Sequence, residues 1–180
     1  MSVTVSILIG SESDLDLANK CSDTLDSLSI SNSIQVLSAH RTPALLETHI
    51  RECEAGGTKV FIAMAGLAAH LAGAVASKTV LPVIGVPGDG GPLSGMDALL
   101  STVQMPKGIP VATVAIGSAG AINSAYLAAQ MLGIESESTR TALLKVREDG
   151  VEAIKESNKK NDISHHVGVQ YAATAVKRDG

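Results

Sequence analysis

Five short runs of β-branched and aliphatic residues recur along this chain, at 3–9, 34–37, 59–64, 82–86 and 109–116, and the stretches between them can form helices. That alternation is the most restrictive feature of the sequence. Strands separated by helices form a parallel sheet, because each return to the start of the next strand needs a crossover. The first run, Val3-Thr-Val-Ser-Ile-Leu-Ile9, is mostly apolar rather than apolar at every second position, as expected of a strand covered on both faces.

The pattern predicts an α/β protein with a flavodoxin-like, three-layer core around a five-stranded parallel sheet, plus a carboxyl-terminal helix. At 180 residues and 45% hydrophobic content, one core of ordinary size is enough. Charge divides the chain unevenly: residues 1–134 hold 16 charged side chains and the last 46 residues hold another 16. We therefore expect an α/β catalytic domain at 1–134 and a helical tail at 135–180. In the tail, Leu143, Leu144, Val146, Val151 and Ile154 form one apolar stripe on a helix spanning 136–160, which either packs on the core or a neighbouring subunit or stands as a solvated outer helix. Beyond Asn161-Asp162 no period is evident. The segment 119–132 is rich in Ala and Gly, which permits close helix approach in a buried place.

Composition removes several functional classes. A net charge of −4 and 2% aromatic residues supply neither the basic footprint nor the stacking platforms of nucleic-acid binding. Apolar runs are broken well before the roughly 20 residues of a membrane span, and the first ten residues lack the basic flank and cleavage site of a signal peptide. A cytoplasmic location is expected. Cys21 and Cys53 have neither metal-clip spacing nor the number of a disulfide framework, so both are expected to be reduced structural thiols. His49 is expected on a solvated helix face, and the pair His165-His166 gives little support for a metal.

In a sheet of this kind, ligands bind beyond the carboxyl ends of the strands. The first strand runs into Gly10-Ser-Glu-Ser-Asp14, where Gly permits a tight turn, Ser11 and Ser13 offer hydroxyls, and the free N–H groups of a helix's first turn favour an anion. Simple capping by Ser13 or Asp14 explains the same residues. The second strand ends in Ser38-Ala-His-Arg-Thr-Pro43, with Pro43 suited to the first position of a helix. His40 can give and take a proton near neutral pH, and Arg41 can hold a phosphate or carboxylate. The third ends in Gly66-Leu-Ala-Ala-His-Leu-Ala-Gly73, whose small residues let a ligand approach the backbone; His70 either caps the next helix or lines the same crevice as His40. The fourth leads into a Gly- and Asp-rich segment, 88–95, expected as a surface loop or a lid. Three strand ends thus converge on a site for a small anionic ligand.

Taken in order, Gly-Ser-x-Ser-Asp at 10–14, Ser-Ala-His-Arg-Thr-Pro at 38–43, Ala-Ala-His-Leu at 68–71, Leu-Pro-Val-Ile-Gly-Val-Pro at 81–87 and the run from Ser94 to Gly117 resemble the N5-carboxyaminoimidazole ribonucleotide mutases. The resemblance implies reversible conversion of N5-carboxyaminoimidazole ribonucleotide to 4-carboxyaminoimidazole ribonucleotide in de novo purine biosynthesis, with no metal or organic cofactor. It implies His40 as general acid/base, and Ser11, Ser13, Asp14, Ser38 and Arg41 around ribose and phosphate. Gly66, Ala69, His70 and Leu71 would line the carboxyl side. It further implies a small-molecule ribonucleotide substrate, a homo-octamer, and an ATP-dependent N5-carboxyaminoimidazole ribonucleotide synthetase as metabolic partner.

Two segments depart from the family pattern. Leu67 and Ala72 stand where Gly and Pro are usual, and Gly88-Asp-Gly-Gly-Pro92 is more glycine-rich and acidic than expected. The competing readings are a carboxylase that uses aminoimidazole ribonucleotide and carbon dioxide directly, a non-catalytic nucleotide-binding module, and the related carboxylase of a nicotinic acid dinucleotide. Ala-Ala-His-Leu favours the mutase.

Overall fold

The computed structural model describes residues 3–161, which separate into a first compact unit ending at Leu143 and a second beginning at Leu144. The stretch 162–180, for which the sequence shows no period, lies outside the described residues, as does His165-His166.

The first unit alternates strands β1 (Val5–Ile9), β2 (Asn32–Val36), β3 (Val60–Ala65), β4 (Val83–Pro87) and β5 (Ala112–Thr113) with helices α1 (Leu15–Ser27), α2 (Pro43–Ala55), α3 (Leu71–Ala76), α4 (Met96–Val103) and α5 (Gly117–Leu132). All strand pairs are parallel, in the order β2-β1-β3-β4-β5. This is the flavodoxin-like arrangement the alternation predicts. The strand order reverses between β1 and β3, so the crevice above their carboxyl ends is where a ligand can enter.

The three central strands carry the core. Every residue of β1 and β4 is buried, which accounts for their continuous apolar composition. β2 is an edge strand, and its Asn, Ser and Gln match its partial exposure. Leu8, Phe61, Ala63 and Val83 pack with Leu46 and Ile50 of α2 and Leu71, Ala72 and Val75 of α3. On the same face, Gly85 admits α4: a Cβ there would lie 2.4 Å from Thr102 Cγ2. The opposite face is covered by α1 and α5, which pack on each other with Ala18, Cys21 and Leu25 buried on α1, Ala121, Ser124, Ala125 and Ala128 buried on α5, and Cys21 meeting Ser124. The small residues of α5 thus serve close packing within the fold.

β5 is shorter than the 109–116 run suggests, with two paired residues and one further bond from Val114 N–H to the Gly85 carbonyl. Pro110 explains part of this, since it cannot donate to a ladder.

His49 is not the solvated residue the sequence predicts. It is half-buried under β1, with Nε2 3.1 Å from Ser6 Oγ and 3.2 Å from Cys53 Sγ. Ser6 is fully buried on the α2 face of β1, and a buried hydroxyl needs a partner. Burial lowers the His49 pKa below its ordinary value, opposed by Glu52.

Cys21 lies at the α1–α5 contact, 3.5 Å from Ser124 Oγ, and burial pushes its thiol up to about 11 against the opposing Ser124 bond. A thiol attacks alkylating agents as thiolate. In mildly alkaline buffer, iodoacetamide should therefore label the half-exposed Cys53 and spare Cys21 until the chain is unfolded, as mass spectrometry of timed digests would show; equal labelling rates in the native state would contradict this packing.

Helix α6, Glu137–Lys160, has no buried residue. Within the second unit it carries the pairs Lys145–Asp149, Lys155–Glu152 and Lys159–Glu156, at 2.8, 2.7 and 2.7 Å. Leu144, Val151 and Ile154 of its apolar stripe are exposed. Among the described residues, no helix is long and apolar enough to cross a membrane.

Candidate active site

Above the carboxyl ends of β1, β2, β3 and β4 lies a cavity of about 740 Å³. Ser11, Ser13 and Asp14 line it from the first loop, Ser38, His40 and Arg41 from the second, and Gly66, His70 and Leu71 from the third. The strand ends converge because four parallel strands in register deliver their following loops to one edge.

The first loop turns through a short 3-10 segment, Glu12–Asp14, capped by Ser11, whose Oγ accepts from the Ser13 N–H at 3.4 Å. The sequence offers Ser13 or Asp14 as the cap of the following helix; Asp14 takes that position, while the side-chain capping bond is made by Ser11 to the 3-10 segment. Asp14 occupies the N-cap position of α1 yet makes no side-chain capping bond, which leaves its carboxylate facing the cavity. Burial raises the Asp14 pKa, partly offset by the Ser11 backbone N–H. A half-buried carboxylate bordering the cavity, with lone pairs left beyond the Ser11 bond, is suited to hydroxyl groups of a sugar.

The second loop is held by its own hydrogen bonds. Thr42 Oγ1 accepts from the Ser38 N–H at 3.0 Å, and Ser38 Oγ accepts from the Arg41 N–H at 3.2 Å. Pro43 starts α2, as its fixed φ favours. The Arg41 guanidinium reaches across to donate to the Gly10 carbonyl at 2.9 Å, so the cation stands beside the Ser11–Asp14 turn. A hydroxyl-lined turn with an adjacent guanidinium can hold a phosphate.

His40 and His70 meet at the cavity. His40 Nε2 lies 2.7 Å from His70 Nδ1, with ring centroids 4.9 Å apart and planes at 76°. One proton occupies that line, whichever ring donates it. A pair of exposed imidazoles sharing a proton beside an anion site can receive a proton from a ligand and return it.

Gly66 borders the His70 side, and a Cβ added to it would meet nothing within 4 Å, so its small size keeps the cavity open rather than serving packing. Ala69 is buried and does not line the cavity; its neighbour Ala68 does. Residues 4–153 match the AIR carboxylase family. This chain belongs to that family. It is 49% identical over 154 residues to the N5-carboxyaminoimidazole ribonucleotide mutase of Pseudomonas aeruginosa, covering 86% of this chain and 94% of that one. It is 46% identical over 158 residues to the Bacillus subtilis protein of the same name, covering 88% and 98%. A crystal structure of Treponema denticola PurE superposes with a TM-score of 0.80 at 29% identity, over 87% of this chain and 97% of that one.

Several residues of this AIR carboxylase family cavity escaped sequence reasoning. Asp16, Leu17 and Ser118 border it, and Lys20 joins them by bonding Asp16 Oδ2 at 2.7 Å and Ser118 Oγ at 2.9 Å. Only the packing of α1 on α5 brings these positions together. The 88–95 segment, which the sequence singles out as a surface loop or a lid, lines the cavity through Gly88, Asp89, Gly90 and Gly91, and Leu67 does so from the third loop. Leu67 has φ +54°, a left-handed conformation that costs a side-chain-bearing residue about 1–2 kcal/mol. Its position beside Gly66, where the family usually has a second glycine, was the available signal.

Proposed function

We propose that this protein converts N5-carboxyaminoimidazole ribonucleotide reversibly to 4-carboxyaminoimidazole ribonucleotide, with His40 as general acid/base. The observation that carries the chemistry is the His40–His70 contact, 2.7 Å, at the mouth of a cavity that also holds Arg41 and Asp14. The names of the relatives, at 49% and 46% identity over most of both chains, support the substrate.

The reaction moves a carboxyl group and one proton. The carbamate's N–C bond breaks, nitrogen retains the electron pair and takes a proton, and carbon dioxide is released inside the site. The enamine-like ring carbon then uses its electron pair to form a C–C bond to carbon dioxide, and that carbon's proton leaves. The proton gained at nitrogen and the proton lost at carbon balance, so one imidazole can supply the first and accept the second. Ser11, Ser13, Asp14, Ser38 and Arg41 hold ribose and phosphate in this reading, while Gly66, His70 and Leu71 face the carboxyl side. A homo-octamer in the cytoplasm, supplied by an ATP-dependent synthetase, belongs to the same proposal.

The test offers the purified protein each ribonucleotide without ATP. Rapid consumption of the N5-carboxy compound, with little use of aminoimidazole ribonucleotide at low bicarbonate, is expected. The opposite preference would make it a direct carboxylase.

A further inference from the structure

Two features of the cavity wall are placed against each other. Leu67 holds a left-handed backbone, φ +54°, yet the residue is 54% exposed, so burial in the structure as it stands does little to offset the strain. Across from it, Gly91 has φ +86°, and a Cβ there would fall 2.5 Å from Leu67 Cδ2. The two loops also touch through their backbones: Gly88 N–H donates to the Ala65 carbonyl at 2.9 Å, and a Cβ on Gly88 would lie 3.2 Å from Gly66 Cα. Gly88, Gly90 and Gly91 all border the cavity and bring no side chain to it. Leu67 is thus the apolar side chain that stands where the glycine-rich segment supplies none.

We propose that Leu67 is a retention residue: its isobutyl group, seated against Gly91, forms the apolar wall that keeps released carbon dioxide beside the ring carbon until the new C–C bond forms. The inference rests on the mutase reading and extends it. Carbon dioxide is uncharged and offers only weak hydrogen-bond acceptors, so polar groups hold it poorly. An apolar wall that excludes water confines it and prevents its hydration. Gly91 matters because a side chain there would push the Leu67 isobutyl group out of this position. The two departures from the family pattern, bulk at 67 and its loss across 88–91, are then complementary parts of one closure.

The test measures partition. Unlabelled N5-carboxyaminoimidazole ribonucleotide is turned over in 13C-bicarbonate with carbonic anhydrase present, and both 13C in the 4-carboxy product and free aminoimidazole ribonucleotide are counted per substrate consumed. Wild-type protein should show little of either. Leu67→Gly should raise them on the order of tenfold, the lower end of what a missing apolar group is worth in a pocket. Its melting temperature should not fall, because glycine adopts this φ without strain. Leu67→Asn tolerates the same φ but is polar, and should leak as well. Unchanged partition in both variants would overturn the role of Leu67, as would complete label exchange in the wild type. Failure of the wild type to consume the substrate at all would instead overturn the mutase reading.

Discussion

His40→Asn is expected to abolish turnover of N5-carboxyaminoimidazole ribonucleotide while ligand binding stays measurable. General acid/base catalysis by one side chain typically contributes about 10²- to 10⁴-fold, and an amide cannot take up and return a proton at neutral pH. Binding should survive because His40 does not build its own loop. The Ser38–Thr42 and Ser38–Arg41 hydrogen bonds do, and the Arg41–Gly10 contact fixes the guanidinium independently. Asn is also small enough to leave the cavity open. The readouts are steady-state kcat and calorimetric affinity for the product. A kcat near that of the wild type would move the proton transfer to His70, the other member of the pair, and His70→Asn would then have to show the loss. Loss of both turnover and binding would mean that the imidazole shapes the site rather than carries the proton.

The sequence was most informative where periodicity and position act together. Strands β1, β3 and β4 are central, and a central strand must be apolar on both faces, so their runs are visible without any structure. Residue types at the strand ends then pointed to the site, because a parallel sheet delivers every following loop to one edge. What escaped was set by contacts between segments distant in sequence. Ser118 borders the cavity because α5 lies on α1, with Lys20 joining it to Asp16. His49 is drawn inward by a buried serine 43 positions away, which no helical pattern within α2 reveals. Ala69 and Ala68 are indistinguishable as residue types, and the one-residue twist of the 66–70 turn decides which faces the cavity. Asp14 stands at the N-cap of α1, as the sequence allows, but without a side-chain capping bond, so its carboxylate, held by the Ser11 N–H, borders the cavity instead.

Leu67 belongs to a different category. A leucine in place of a usual glycine is visible in the sequence, but its backbone conformation and its contact with Gly91 are not. The strain lies at the wall of the cavity, where a cost in stability is compatible with a function in the reaction.

Gly120→Ala is expected to have the largest effect on stability of any single-methyl change in the first unit. A Cβ at Gly120 would stand 1.7 Å from the Ala115 carbonyl oxygen, 2.7 Å from its carbon and 3.3 Å from Val86 Cγ1. The first of these is backbone, so no side-chain rotation relieves it; either the 114–116 segment or the first turns of α5 must move. Both are pinned, since Val114 N–H bonds the Gly85 carbonyl on one side and α5 buries Ala121, Ser124, Ala125 and Ala128 on the other. Overpacking of a filled core costs about 1–3 kcal/mol, and the backbone clash places this variant at the upper end, a fall of about 10 °C in melting temperature for a chain of this size. Gly150→Ala in α6 is the matched control: nothing lies within 4 Å of its Cβ, so helix propensity alone should act and raise stability by up to about 1 kcal/mol. The two should move in opposite directions in the same thermal melt. Because α5 begins at Gly117, beside Asp89 and Ser118 on the cavity wall, Gly120→Ala should also lower kcat in the fraction that remains folded. A melting temperature equal to that of the wild type would mean that α5 can shift on the sheet at little expense, and the close seating of α5 against β4 and the 114–116 segment would then not be what holds this side of the site in place.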